Sequence, residues 1–270
     1  MPVISSRAND RVKAVRALRD KKERDATGAF FAEGERLLRA ALQTGAAFEL
    51  CVYAPDRMTR SEASLIDDLE EMKVPLLEVT AELFDLIAFR EDAQSVGAIV
   101  SQRWETLSSV TETRRCWLVL HDIQHPGNLG TLIRTCDAVG GDGVILTGRS
   151  TDPYHPMAVR GSLGALFSQR IVKASPADVA RWLPRSGCTV VGTALEGSKD
   201  FRDVDYATKP VVIMGGNERV GISKEQKNLC DELVRIPMSG YVESLNLSIA
   251  TALVLYEVQR QQDAGAPGPT

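Results

Sequence analysis

Three short stretches hold residue types that could do chemistry together. The first is Asp122-Ile-Gln-His-Pro-Gly-Asn128-Leu-Gly-Thr-Leu-Ile-Arg134-Thr135. A Pro126-Gly127 turn leads into a helix with Asn128 in its first turn and Arg134 in its second. Asn128 could cap that helix or aim its amide at a ligand. Arg134, a fixed cation near a helix start, suits a phosphate. A capped helix with a surface arginine would read the same way. The second stretch, Gly215-Gly-Asn-Glu218-Arg-Val-Gly221-Ile-Ser223, follows an apolar run. Its glycines permit positive φ and close backbone approach. Glu218 is a candidate acceptor or base, although a plain connector with a charged tip fits equally well. The third runs from Ile236-Pro-Met238 through Ser239-Gly-Tyr-Val-Glu to Ser244-Leu245-Asn246. Ser244 stands where a helix N-cap is expected, with Asn246 in the first turn beyond it.

These stretches need elements to position them. Apolar runs at 116–121, 142–147, 188–194, 210–215 and 232–236 predict strands. The run Pro210-Val-Val-Ile-Met214 has no period-two alternation, so both faces are expected to be covered, as in a parallel sheet under helices. Helices are expected at 129–139, 176–185, 223–230 and 244–262. The last carries more apolar residues than one stripe needs (Leu245, Ile249, Leu253 and Tyr256 among them), which predicts burial on two sides, one against a second subunit. Upstream, residues 1–24 read as a basic helical arm, with eight basic side chains against three acidic ones. Strands at 49–53, 74–79 and 95–101 alternate with helices at 34–45, 61–72 and 80–88. The expected fold class is therefore α/β, in two α/β domains. The boundaries are 1–102, a polar linker 103–114, a second domain 115–262, and a disordered tail 263–270.

Composition narrows the function classes. The 270 residues carry a net charge of −4, so electrostatics alone do not make a nucleic-acid binder. Five cysteines stand singly, with no CxxC pair, which offers neither a zinc site nor a disulfide framework. No apolar run reaches membrane-spanning length, and a cytoplasmic protein is expected. A glycine-rich dinucleotide fingerprint is missing, which weakens the reading as a nicotinamide oxidoreductase. His121 and His125 are four apart, but the intervening turn makes them poor partners for a metal, and none is expected. His155 is expected to order a loop.

The three stretches, in this order and spacing, resemble the signature motifs of the SpoU (TrmH) family of RNA ribose methyltransferases, of the SPOUT class. The first half is similar to that family's substrate-binding domain through Ile4-Ser5-Ser6, Asn9, Lys21-Lys22-Glu23-Arg24 and Phe31-Ala-Glu33-Gly34. The resemblance implies a parallel-sheet SPOUT domain with a C-terminal trefoil knot, a homodimer, and S-adenosylmethionine as cofactor. It implies functional roles for Asn128, Arg134, Glu218, Ser244 and Asn246. It places the cofactor against Thr193, Ala194, Leu195, Gly215, Gly216, Asn217, Gly221, Ile236, Met238, Ser244 and Leu245. Arg219 and Val220 depart from the smaller or acidic residues frequent there. The implied reaction is 2′-O-methylation of RNA without a metal. The two-domain layout resembles the ribosomal RNA members more than the transfer RNA members. The basic arm, through Arg7, Lys21, Lys22 and Arg24, is expected to meet RNA phosphates. Alternatives are a tRNA ribose methyltransferase and a non-catalytic RNA-binding protein of the same fold; the intact motif residues speak against the second.

Overall fold

The computed structural model describes residues 3–89, 94–194 and 199–265. Along the chain the elements are α1 (Asp10–Ala17), α2 (Lys21–Thr27), β1 (Ala29–Glu33), α3 (Glu35–Gln43), β2 (Phe48–Tyr53), α4 (Arg60–Glu71), β3 (Leu76–Glu78), α5 (Ala81–Ile87) and β4 (Val96–Ser101). Next come β5 (Cys116–His121), α6 (Pro126–Ala138), β6 (Gly143–Thr147), α7 (Pro156–Ser162), α8 (Ala165–Ser168), β7 (Arg170–Lys173), α9 (Pro176–Trp182) and β8 (Thr189–Thr193). The last are β9 (Lys199–Asp200), β10 (Val211–Gly215), α10 (Lys224–Lys227), β11 (Glu232–Arg235) and α11 (Leu247–Gly265). The chain forms two compact units, residues 1–103 with 152–168, and residues 104–151 with 169–270.

The first unit is built on a mixed sheet in the order β1-β4-β2-β3. The basic arm is two short helices rather than one. Asn9 caps α1 through its side-chain oxygen, Asp20 caps α2, and Gly28 closes α2 at φ 66°. Val12, Val15 and Leu18 are buried against Val52, Val79 and Phe84, which pins the arm to the sheet. Arg7, Lys21 and Lys22 remain exposed. Arg24 does not: it is 1% exposed, and its guanidinium is spent internally. It pairs with Asp152 at 2.8 Å and donates to the carbonyls of Leu18 and Arg19. A buried cation must find such partners, so Arg24 is corrected from an RNA-phosphate contact to a structural residue.

Residues 152–168, which the sequence placed in the second domain, are part of this first unit. Besides Asp152 they contribute Tyr154, whose ring lies 4.7 Å from that of Phe30, and Phe167, at 6.0 Å. His155 caps α7, its Nδ1 accepting from the Met157 N–H. Burial, and then the Arg24 cation, hold its pKa below the usual histidine value, so the accepting neutral form is kept.

The second unit is a parallel sheet in the order β7-β6-β5-β10-β8-β11-β9. Every residue of β6 and β10 is buried, as their uninterrupted apolar runs predict. The expected linker is ordered: Leu107 and Val110 pack on Trp117, Val172 and Val179, and Glu105 pairs with Arg170 at 2.7 Å. α11 extends through Gly265, and its Asp263 pairs with Arg115. The expected disordered tail is therefore helical at its start; residues 266–270 lie outside the described residues. No described helix is long and apolar enough to cross a membrane, and no described His, Cys, Asp or Glu residues cluster as a metal site.

Candidate active site

In a parallel sheet, ligands collect outside the carboxyl ends of the strands. Here the neighbouring strands β5, β10, β8 and β11 end at residues 121, 215, 193 and 235. The three motif stretches leave β5, β10 and β11 at that edge. The second and third stretches, with the end of β8, line a cavity of about 320 Å³. Ile222, Val234, Ile236, Met238, Leu245, Leu247 and Ala250 give it apolar walls; Thr193, Asn217, Glu218, Arg219, Lys227 and Ser244 add polar groups.

Glu218 organises the first two stretches. Its carboxylate accepts from the backbone N–H of Gln124 (3.0 Å) and His125 (2.9 Å), and from Asn128 Nδ2 (3.2 Å). α6 begins at Pro126 with no side-chain cap of its own from His125. An anion at a helix start meets unpaired donors and the positive dipole end, so Glu218 caps α6 from a distant loop. Burial pushes its carboxyl upward, but these hydrogen bonds outweigh that and hold it below the usual glutamate range. An ionised, fully engaged carboxylate orients rather than abstracts protons.

The network continues in one direction. With its NH₂ on Glu218, Asn128 turns its Oδ1 to Asn246 Nδ2 at 3.2 Å. Asn246 in turn presents its Oδ1 to the backbone N–H of Ser248 at 2.8 Å. Asn246 is therefore the N-cap of α11, correcting the expectation for Ser244. Ser244 lies two residues earlier, exposed on the cavity wall. The chain Glu218–Asn128–Asn246 ties all three stretches together, with each amide oriented by its neighbour.

The 217–221 loop closes on itself. Asn217 N and Gly221 O are 3.1 Å apart, Gly221 N and Asn217 O 2.8 Å, and Gly221 takes φ 69°. Asn217 Nδ2 also holds the Asp122 carbonyl at 3.0 Å. A Cβ on Gly216 would lie 2.1 Å from the Gly221 carbonyl oxygen. Gly216→Val is expected to abolish S-adenosylmethionine binding in calorimetry by forcing this loop open; affinity within about threefold of wild type would refute the close-approach role.

Among the expected cofactor residues, Thr193, Ala194, Asn217, Gly221, Ile236, Met238, Ser244 and Leu245 line the cavity. Gly215 and Gly216 stand behind it as close-approach positions, against Leu120 and Gly221. Leu195 lies outside the described residues. Lining positions absent from the expectation are Arg219, Val220, Ile222, Lys227, Val234, Leu247 and Ala250. Arg134 is apart from the cavity wall, exposed on α6, and no described residue is paired with its guanidinium.

Comparison with known proteins agrees with this geometry. The profile of the SpoU rRNA Methylase family matches residues 115–256. The chain belongs to the SpoU rRNA methylase family. A second profile, an MRM3-like substrate binding domain, matches residues 9–98. As a SpoU member the protein is an S-adenosylmethionine-dependent RNA methyltransferase. It is 32% identical over 261 residues to a 23S rRNA (uridine(2479)-2′-O)-methyltransferase of Streptomyces viridochromogenes, covering 94% of this chain and 90% of that one. A crystal structure of an AdoMet-bound rRNA methyltransferase from Sinorhizobium meliloti superposes with a TM-score of 0.88 at 37% identity, over 96% of this chain and 97% of that one. A Thermus thermophilus tRNA (guanosine(18)-2′-O)-methyltransferase is 38% identical over 149 residues, 54% of this chain and 74% of its own length.

Proposed function

We propose that this protein methylates a ribose 2′-hydroxyl in large-subunit ribosomal RNA, in the cytoplasm, as a homodimer with a knot at the carboxyl edge of its parallel sheet. The observation that carries the rRNA assignment is coverage. Similarity to the Streptomyces 23S rRNA enzyme runs through both halves of the chain, whereas similarity to the Thermus tRNA enzyme spans about half of it. The substrate-binding half is where two RNAs would be told apart. Arg7, Lys21 and Lys22 stand exposed there to meet phosphates.

The cavity fits the methyl donor in size and lining, with apolar walls and a few convergent polar groups. Bound S-adenosylmethionine supplies an electrophilic methyl group. The chain's own residues supply position and charge. Ser244, on the wall, is placed to hold ligand or ribose. Asn128 and Asn246 fix the loops around it. Arg134 clamps the phosphate beside the target ribose and stabilises negative charge developing on the 2′-oxygen. Guanidinium does not deprotonate in proteins, so Arg134 acts as a donor and not as a base. The test is transfer of labelled methyl from S-adenosylmethionine to undermethylated rRNA in vitro, with tRNA as the parallel substrate. Labelling of rRNA supports the proposal; labelling confined to tRNA refutes it.

The proposed dimer is supported by one face of α11. On α11, Ser248, Thr251, Val254, Leu255 and Val258 are buried. Ile249, Leu253 and Tyr256 form a second stripe at i, i+4 and i+7, and are 51%, 40% and 54% exposed. An exposed apolar stripe beside a buried one on the same helix fits a subunit interface. Leu253→Asp is expected to convert the dimer to a monomer in light scattering at micromolar concentration. A wild type that is already monomeric would refute the dimer.

A further inference from the structure

The cavity has a rim that its walls do not explain. Tyr241 is 103% exposed and Val220 82% exposed. A fully exposed tyrosine ring beside a ligand cavity offers its whole face to a flat partner. Both residues stand at the tips of loops that wall the cavity. Tyr241 lies between Met238 and Ser244, and Val220 between Arg219 and Gly221, all four of them lining residues. Arg219 is also exposed, its side chain paired with no described residue, while its backbone N–H is held by Asn217 Oδ1 at 2.9 Å. The backbone beneath the cation is thus fixed while the guanidinium is left available.

Resting on the RNA methyltransferase function proposed above, we propose that this rim grips an unpaired nucleotide next to the target ribose, its base stacked on Tyr241 and its phosphate on Arg219. A ribose hydroxyl inside a duplex cannot readily enter a cavity edge, and single-stranded bases are commonly held by exposed aromatic rings. Stacking on tyrosine tolerates any base, so Tyr241 secures the strand and leaves sequence choice to other contacts. Arg219, on the other loop of the same cavity, adds a phosphate contact.

The test is steady-state methylation of undermethylated rRNA. Tyr241→Ala is expected to raise KM for RNA roughly 5- to 150-fold, the range for losing one stacked base, with kcat within about twofold. S-adenosylmethionine affinity and dimer mass are expected to stay unchanged, and Tyr241→Trp to restore KM. Arg219→Ala is expected to raise KM and flatten its salt dependence by about one phosphate contact. An unchanged KM in Tyr241→Ala, beside an active wild type, overturns the proposal. So does loss of the dimer in that variant, which would make Tyr241 a subunit contact. A wild type that methylates no RNA overturns the functional proposal itself, and the rim with it.

Discussion

Arg134→Ala is expected to reduce methyl transfer roughly 100- to 1000-fold, the loss typical of removing one charge-stabilising donor, while leaving the melting temperature and cofactor affinity nearly unchanged. The separation follows from position. Arg134 is exposed on α6, while Leu132, Ile133 and Cys136 of the same helix face the core. It is paired with no described residue and does not line the cavity. Arg134→Lys is expected to recover little, because a point charge cannot replace a planar two-pronged donor. A phosphate clamp also predicts an interaction with the RNA. An uncharged linkage beside the target ribose should slow the wild type far more than the alanine variant. Equal slowing in both would show that Arg134 does not act through that phosphate.

Glu218→Ala is expected to lower both stability and activity. Its carboxylate serves two backbone N–H groups and one amide. Hydrogen bonds to a charged group contribute about 1.5–3 kcal/mol each in favourable settings. Partial solvent exposure here argues for a total near the low end, about 1–3 kcal/mol. Activity is expected to fall by roughly 100-fold, because Asn128 loses the contact that fixes its amide and Asn246 follows it. Glu218→Gln keeps one acceptor oxygen and is expected to fall between. The pH dependence has a definite sign. The folded carboxyl titrates below its ordinary value, so its contribution is complete above about pH 5 and is lost as pH falls through the lowered value. The stability gap between wild type and Glu218→Gln should therefore be constant near neutrality and close in acid. A gap that widened in acid would contradict the charged cap.

Local pattern carried much of this molecule. The second sheet was legible because a strand buried on both faces must be continuously apolar, as β5, β6 and β10 are. The loops at its edge were legible through their unusual residues. What escaped depends on partners far along the chain. Arg24 looks like one cation in a basic arm, and only Asp152, 128 positions on, makes it a core residue. The same pair explains why the domain boundary was misplaced: nothing local in residues 152–168 says that Tyr154 and Phe167 pack on Phe30. A deletion of residues 1–102 alone would strip those rings of their cover, so a clean separation of the halves must also replace 152–168. Strand β7 has four residues, and its arginine pairs with Glu105 in a stretch that reads as linker. The cap of α11 falls on Asn246 rather than Ser244 because either residue type can cap a helix, and Asn246 is also bonded to Asn128. Val234, Leu247 and Ala250 reach the cavity only because β11 and α11 converge there.

Placement of a methyl group on one ribose of large-subunit rRNA is the activity proposed for this chain. Mass-spectrometric mapping of 2′-O-methylated nucleotides, in rRNA and tRNA from cells with and without the protein, tests it most directly. The expected result is one large-subunit rRNA position that is methylated with the protein, unmethylated without it, and unmethylated again when only Arg134→Ala is supplied. An unchanged rRNA map, or a loss confined to tRNA, would contradict it.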